Sequence, residues 1–203
     1  MEIKKTIFSS ISKVQAAFTA AITDIITSAA HGLQDNDCVQ LTTTATLPAG
    51  LVLATSYYVI SRTEDTFKLS LSPGGTEVDI TDIGTGTHTF HLKGKAIYVG
   101  SYKDHKLTMD FSGTPTMTVK VQGSDQDVVD FNAAQSASNS WDYVQIIDTQ
   151  NNIPNDGDVG IVVTAGDYPH QDYSVNVDGL VWLTVVVTAW TAGVLAVEYT
   201  GWE

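Results

Sequence analysis

Cysteine is nearly absent from this sequence, because Cys38 is the only one among 203 residues. A single cysteine excludes an internal disulfide and any zinc site built from several thiolates. Its neighbours, Asp37-Cys38-Val39-Gln40-Leu41, have the character of a strand. We therefore interpret Cys38 as a small buried hydrophobic residue and not as a reactive thiol.

Positive charge is missing from the last part of the chain. Residues 121–203 contain no Lys or Arg and 12 Asp or Glu, and the formal net charge of the whole chain is −13. Such a surface repels phosphates, so we expect no nucleic-acid partner. Two interpretations stay open: an acidic face that only keeps the protein in solution, or one that meets a basic partner or holds cations.

Long hydrophobic runs are also absent. The most apolar stretch, Leu180–Ala189, is about half the length that a bilayer-spanning helix needs. The N-terminal residues Met1–Phe8 include two lysines, but no long apolar segment follows them, so they do not form a signal peptide. We expect a soluble protein that is made in a cytoplasm and has no membrane partner.

Helical periodicity is confined to Ser9–Ala21, where an extended conformation fits equally well. The rest of the chain alternates short β-prone segments with turn residues, which predicts an all-β protein. The predicted strands cover residues 22–26, 38–42, 57–61, 66–71, 78–80, 88–92, 96–100, 106–111, 116–122, 143–148, 160–165, 172–177, 180–190 and 194–202, and residues 124–140 are predicted to be a long loop.

The last two predicted strands, Leu180–Trp190 and Val194–Trp202, are predicted to form a closing hairpin. Its loop would be Thr191-Ala192-Gly193, with Gly193 in the left-handed conformation that a three-residue loop requires. This register would place Ala189 opposite Leu195 and Trp182 opposite Trp202.

One face of that hairpin would be too apolar to remain in contact with water. Another part of the chain or a neighbouring subunit could cover it, and the sequence leaves both options open. In the second case the aromatic side chains would anchor the contact. The residues of this predicted subunit or partner interface are Trp182, Trp190, Trp202, Val186 and Val194.

No pattern in the sequence indicates catalysis. Gly-x-Ser-x-Gly and phosphate-binding glycine loops are absent. His88 and His91 would face opposite sides of one strand, and His31 belongs to a turn, where we expect it to hold the backbone by hydrogen bonds. The acidic loops around Asp125 and Asp156 lack a complete calcium motif. We therefore predict no enzyme activity, no catalytic residue, no metal site and no cofactor.

The segment from about residue 20 to residue 92 resembles a small β-barrel module that recurs in phage and prophage structural proteins. The module is similar to a subdomain of ubiquitin-activating enzymes, although nothing here indicates ubiquitin chemistry. The residues that carry the resemblance are Ile26-Thr27-Ser28-Ala29-Ala30-His31-Gly32-Leu33-Gln34-Asp35-Asn36-Asp37, Leu47-Pro48-Ala49-Gly50-Leu51, Tyr57-Tyr58-Val59-Ile60, Asp65-Thr66-Phe67-Lys68-Leu69-Ser70 and Gly84-Thr85-Gly86-Thr87-His88-Thr89-Phe90.

A second resemblance concerns the last hundred residues. Val119–Ser124, Trp141–Val144 and Val175–Trp202 look like parts of the β-sandwich of phage particle proteins. Together the two resemblances imply a small β-barrel over residues 22–92 and a jelly-roll-like antiparallel β-sandwich over residues 93–203. Residues 1–21 would be an N-terminal arm or the first strand of the sandwich, and the barrel would be inserted after that strand or strung in front of the sandwich.

These resemblances imply a structural protein of a tailed bacteriophage particle. The first expectation is a capsid decoration, or cement, protein that acts as a homotrimer, contacts the major capsid protein or other virion proteins, and assembles in the host cytoplasm. The alternative is a tail or fibre module that binds a host receptor or glycan, with Tyr168 or Tyr173 stacking on sugars. A third class, an enzyme acting on surface polysaccharide, has no motif in its favour.

Overall fold

A computed structural model of the chain describes residues 1–129, 141–167, 169–175 and 179–203. These residues form two compact units, of which one comprises Lys13–Lys93 and the other combines Met1–Ser12 with Gly94–Glu203. Both units consist of β-strands and irregular segments, and no helix occurs in the described ranges. Those ranges accordingly contain no helix able to cross a membrane. The predicted all-β fold class, with a small barrel and a second antiparallel unit, is confirmed.

Fifteen strands are present in the described residues. They are β1 (Glu2–Ile11), β2 (Gln15–Ala20), β3 (Ile26–Thr27), β4 (Cys38–Thr43), β5 (Tyr57–Ile60), β6 (Thr66–Ser70), β7 (His88–Lys93), β8 (Ile97–Tyr98), β9 (Asp104–Ser124), β10 (Asp142–Tyr143), β11 (Ile146–Asp148), β12 (Ile153–Asn155), β13 (Ile161–Val163), β14 (His170–Val175) and β15 (Trp182–Trp202).

The unit Lys13–Lys93 is a closed barrel with the strand order β2-β3-β6-β5-β4-β7. Its strands alternate buried and more exposed side chains, because successive residues point to opposite faces of a sheet. Phe67 and Phe90 meet edge to face in the interior with their ring centroids 5.8 Å apart, and Val39, which pairs with Leu92, is fully buried. Cys38 is buried as well.

The antiparallel register places three connections at one end of the barrel. The last residues of β2, β4 and β6 lie beside the first residues of β3, β5 and β7, as the pairs Ala20–Ile26 and Thr43–His88 show. Residues 21–25, 44–56 and 71–87 therefore gather at this end, which we call the loop end. The chain enters β2 and leaves β7 at the opposite end.

Gly50 allows two of these connections to touch. Its φ is +101°, and a Cβ atom there would lie 2.0 Å from the carbonyl oxygen of Asp79. We expect Gly50→Ala to destabilise the barrel by about 2–3 kcal/mol, from backbone strain plus overpacking. Gly74→Ala is a matched control, because Gly74 also has a positive φ (+62°) but no heavy atom within 4 Å of the added carbon. Equal thermal shifts for the two variants would contradict this explanation.

The second unit is built on two strands of 21 residues, β9 and β15, that pair antiparallel from Trp182–Ser124 to Trp202–Asp104. The predicted closing hairpin is therefore wrong, because β15 runs straight through residues 191–193. Gly193 has a positive φ, but it lies between register shifts of the β9–β15 ladder and packs against Pro115 of β9. The glycine accommodates a bulge in one strand, not a turn between two.

The other strands of this unit flank the long pair. β1 and β8 pair with β15, β10, β13 and β14 pair with β9, and the sheet continues from β14 to β11 and β12. The apolar core of the sheet includes Leu107 and Met109 of β9 and Leu195, Val197 and Tyr199 of β15, which are all buried.

The chain order makes the barrel an insertion. β1 pairs with β15 and belongs to the large sheet, whereas β2 pairs with β7 and belongs to the barrel. The barrel thus begins at Lys13 and not at residue 22. The alternative helix over Ser9–Ala21 is not formed, because both halves of this segment are hydrogen-bonded in sheets. Of the predicted loop 124–140, residues 130–140 lie outside the described residues.

Candidate interaction surfaces

The five residues of the predicted interface do not form one surface. Trp182 and Trp202, which a hairpin would place opposite each other, stand at the two ends of β15. The register shift between Val187 and Ala189 also changes which side chains share a face, and Val186 is buried. The structure therefore does not bring the predicted set together.

Trp182 packs inside its own unit. Its ring meets the ring of Tyr98 edge to face with centroids 5.4 Å apart, and it lies against a small cluster made by Val129, Trp141 and Ala96. The sequence left open whether the chain itself or a neighbouring subunit covers the aromatic residues. For Trp182, the chain itself provides the contacts. Trp182 is thus part of an internal apolar cluster.

Trp190 and Val194 lie on either side of the irregular middle of β15, and both are half-buried. The Trp190 indole Nε1–H donates to the carbonyl oxygen of Gly193 over 3.4 Å. Trp202, also half-buried, ends the strand between Glu2 and Asp104. An interface at these residues stays a prediction, now centred on Trp190 and Val194.

A row of polar side chains crosses β9 and β14, and sequence reasoning missed it. His170 Nδ1 lies 2.5 Å from Asp110 Oδ1, and Asp172 interacts with the Lys106 ammonium (3.2 Å) and the Thr108 hydroxyl (2.6 Å). The alternating polar residues of the two segments are visible in the sequence. The strand register that brings them side by side is not. Burial raises the pKa of Asp172, but these hydrogen bonds and the Lys106 charge outweigh burial and lower it overall. The row is a cross-strand ion-pair ladder that stabilises the sheet.

His31 holds the turn in which the sequence places it. The Leu33 N–H donates to His31 Nδ1 (3.0 Å), so the ring proton is on Nε2, which lies 3.3 Å from the Thr66 carbonyl oxygen. The ring also meets Phe67 edge to face, with centroids 5.0 Å apart. Burial lowers the pKa of His31 below its ordinary value of 6.5, although backbone hydrogen bonds oppose that shift.

We expect this histidine to make the barrel less stable in mild acid. The unfolded chain takes up the proton more readily than the folded chain, so the contribution of His31 is complete above about pH 6.5 and is lost as the pH falls toward the folded pKa. His31→Asn can still accept the Leu33 N–H but cannot titrate. Urea midpoints of barrel NMR signals should fall less between pH 7.5 and 5.5 in this variant, and an unchanged pH dependence would contradict the assignment.

Metal binding and sugar stacking are the other functions that the sequence analysis considers. His88 is buried and His91 half-buried on opposite faces of β7, so they form no chelating pair. The described residues contain no group of three His, Cys, Asp or Glu arranged to hold a metal ion. Tyr173 is buried, at 2% exposure, and so cannot stack on a sugar as the tail-module alternative required, whereas Tyr168 lies outside the described residues.

Comparisons with known proteins give no relative. No protein-family model matches the chain, and no match was found among curated proteins or solved structures.

Proposed function

We propose that this chain is a non-enzymatic structural component of a tailed-bacteriophage particle, and that it decorates the capsid and stabilises the shell through protein–protein contacts. The observation that carries the proposal is the insertion of the barrel between β1 and the rest of the large sheet. Together with the resemblance in residues 20–92, this inserted barrel supports the proposal that the chain is a building block of a particle.

The mechanism of such a protein is mechanical. Each apolar side chain that leaves water at a contact contributes about 1.5–3 kcal/mol before the costs of association are subtracted. The half-buried Trp190 and Val194 on β15 offer one such contact to another copy of the chain, which would form the trimer. The exposed carboxylates of residues 121–203 would face solvent or basic patches on the shell.

The stability of phage particles with and without this protein tests the proposal. Particles that lack this chain should lose their genome at a lower temperature or a smaller osmotic shock than complete particles, and adding the purified protein should restore their resistance. Equal resistance with and without the protein would count against decoration. If the purified protein instead adhered to host cells and not to shells, the tail or fibre module would replace it.

Trp190→Asp tests the trimer part of the proposal. A charge at a subunit contact should leave a folded monomer, detected by analytical ultracentrifugation, whereas the wild-type protein should sediment as a trimer. An oligomeric state that does not change with this substitution would move the subunit contact away from Trp190.

A further inference from the structure

The exposed apolar side chains of the barrel are concentrated at its loop end. Among the described residues, every large hydrophobic side chain of Lys13–Lys93 that is exposed lies on one of the three connections of that end. The connections at the opposite end, residues 28–37 and 61–65, carry none. The six side chains are Ile22 (68% exposed), Ile25 (37%), Val52 (61%), Leu53 (55%), Leu71 (66%) and Ile83 (62%).

Hydrogen bonds hold these connections in place. The Ile80 N–H donates to Asp24 Oδ1 (2.7 Å), which ties residues 71–87 to residues 21–25. Asp82 Oδ1 accepts from the Ala49 N–H (2.8 Å), which ties the same segment to residues 44–56. The Val52 N–H donates to the Tyr57 hydroxyl (2.8 Å), and Tyr57 is buried. A surface fixed in this way loses little conformational entropy when a partner binds.

The charge of the loop end has one sign. Its three connections contain four acidic residues, Asp24, Glu77, Asp79 and Asp82, and no Lys or Arg. Only Glu77 has a cationic partner among the described residues, because the Lys68 ammonium of β6 lies 2.6 Å from its carboxylate. Backbone N–H groups of Ala49 and Gly84 lower the pKa of Asp82, so this carboxylate stays ionised well below neutral pH.

We propose that the loop end of the barrel is a docking surface for a protein partner whose contact patch is apolar and bordered by Lys or Arg. Exposed aliphatic side chains that are concentrated at one end of a hydrogen-bonded scaffold, and absent from the other end, favour a contact surface at that end. The carboxylates select a basic rim and repel nucleic acid and anionic lipid. A membrane is the less suitable occupant, since the three connections also lack the Trp and Lys residues that anchor proteins at bilayer interfaces.

This inference goes beyond the proposed function, because it concerns the barrel alone and holds for any partner protein of this chemistry. Its test therefore uses a defined probe: a synthetic amphipathic peptide of Leu and Lys, titrated into the full chain by isothermal calorimetry. The wild-type protein should bind this peptide, should bind a Ser–Lys peptide of equal charge at least tenfold more weakly, and should not bind a Leu–Glu peptide.

Variants locate the binding site. Val52→Ser combined with Ile83→Ser should weaken Leu–Lys binding at least tenfold, and Asp79→Lys should weaken it further. The matched control is Val162→Ser, which removes an equally exposed side chain (63%) from the large sheet and should leave the affinity unchanged. Two-dimensional NMR spectra verify that each variant is folded.

Three results would overturn the proposal. They are the absence of Leu–Lys binding to the wild-type protein, equal binding by the loop-end variant, and an equal loss in the Val162→Ser control. Binding to phosphatidylcholine vesicles that depended on Val52 and Ile83 would replace the protein partner by a lipid surface.

Discussion

Replacing Phe90 with alanine is expected to lower the free energy of unfolding of the barrel by about 3–5 kcal/mol. Phe90 is fully buried and packs edge to face on Phe67 in a closed barrel of only six strands. Each strand of a closed barrel is paired on both edges, so the side chains around Phe90 can move only partly into the cavity that the substitution leaves. A loss of this size is a large share of the stability of a domain of this length.

Amide hydrogen exchange followed by mass spectrometry measures the effect, because it reports each segment separately. Exchange should accelerate throughout Lys13–Lys93. Tryptophan fluorescence supplies an internal reference, since all four tryptophans lie outside the barrel, at 141, 182, 190 and 202, and their native spectrum should persist without denaturant. Ile83→Ala is the control, because its exposed side chain leaves no cavity. A loss below about 1 kcal/mol for Phe90→Ala would contradict the proposed core.

Replacing Trp182 with alanine is expected to destabilise the large sheet by about 3 kcal/mol, the lower end of the range for a tryptophan, because its side chain is only partly enclosed. The substitution removes the ring that packs on Tyr98 and on the cluster of Trp141 and Val129. Urea unfolding, followed by the fluorescence of the remaining tryptophans, measures the change.

Trp190→Ala is the matched control on the same strand. Trp190 is half-buried as well, but among the described residues no aromatic ring packs on it as Tyr98 does on Trp182, so its removal should cost less, about 1 kcal/mol in the isolated protomer. If Trp182→Ala instead dissociated an oligomer and left the protomer as stable as before, Trp182 would be an interface residue, as the hairpin register implied.

Much of the barrel could be predicted from the sequence because its strands are short and local patterns define them. The segments around Phe67 and Phe90 alternate apolar and polar residues, those around Val39 and Val59 are short apolar runs, and glycine-containing or polar turns separate them. The role of His31 was also accessible, since a histidine before a glycine in a turn has backbone groups within reach. The start of the barrel was not, because Ser9–Ala21, which contains all of β2, fits a helical as well as an extended pattern.

The large sheet was harder because its two longest strands contain residues that usually end a strand. Gly113 and Pro115 divide β9 into two predicted strands, and Gly193 does the same in β15. A glycine with positive φ serves a bulge as well as a turn. Only the partner strand decides between them, and here each irregular segment faces the other.

The candidate surfaces depended on this distinction. A hairpin would bring Trp182 and Trp202 together, whereas a continuous strand separates them by its whole length. The loop end of the barrel was not predicted either, because Ile22, Val52 and Ile83 are far apart in sequence and only the strand order brings their connections together. The absence of Lys and Arg from the three connections is visible in the sequence, but nothing in the sequence shows that these segments share one end of the barrel.

Cosedimentation with empty shells is the decisive experiment for the proposal that this chain decorates a capsid. Empty shells assembled from the major capsid protein of the same genome are mixed with the purified protein and centrifuged through a cushion. A decoration protein should pellet with the shells, saturate at a fixed ratio to capsid subunits, and remain in the supernatant without them. Shells that pellet alone at saturating protein concentrations would contradict the proposal.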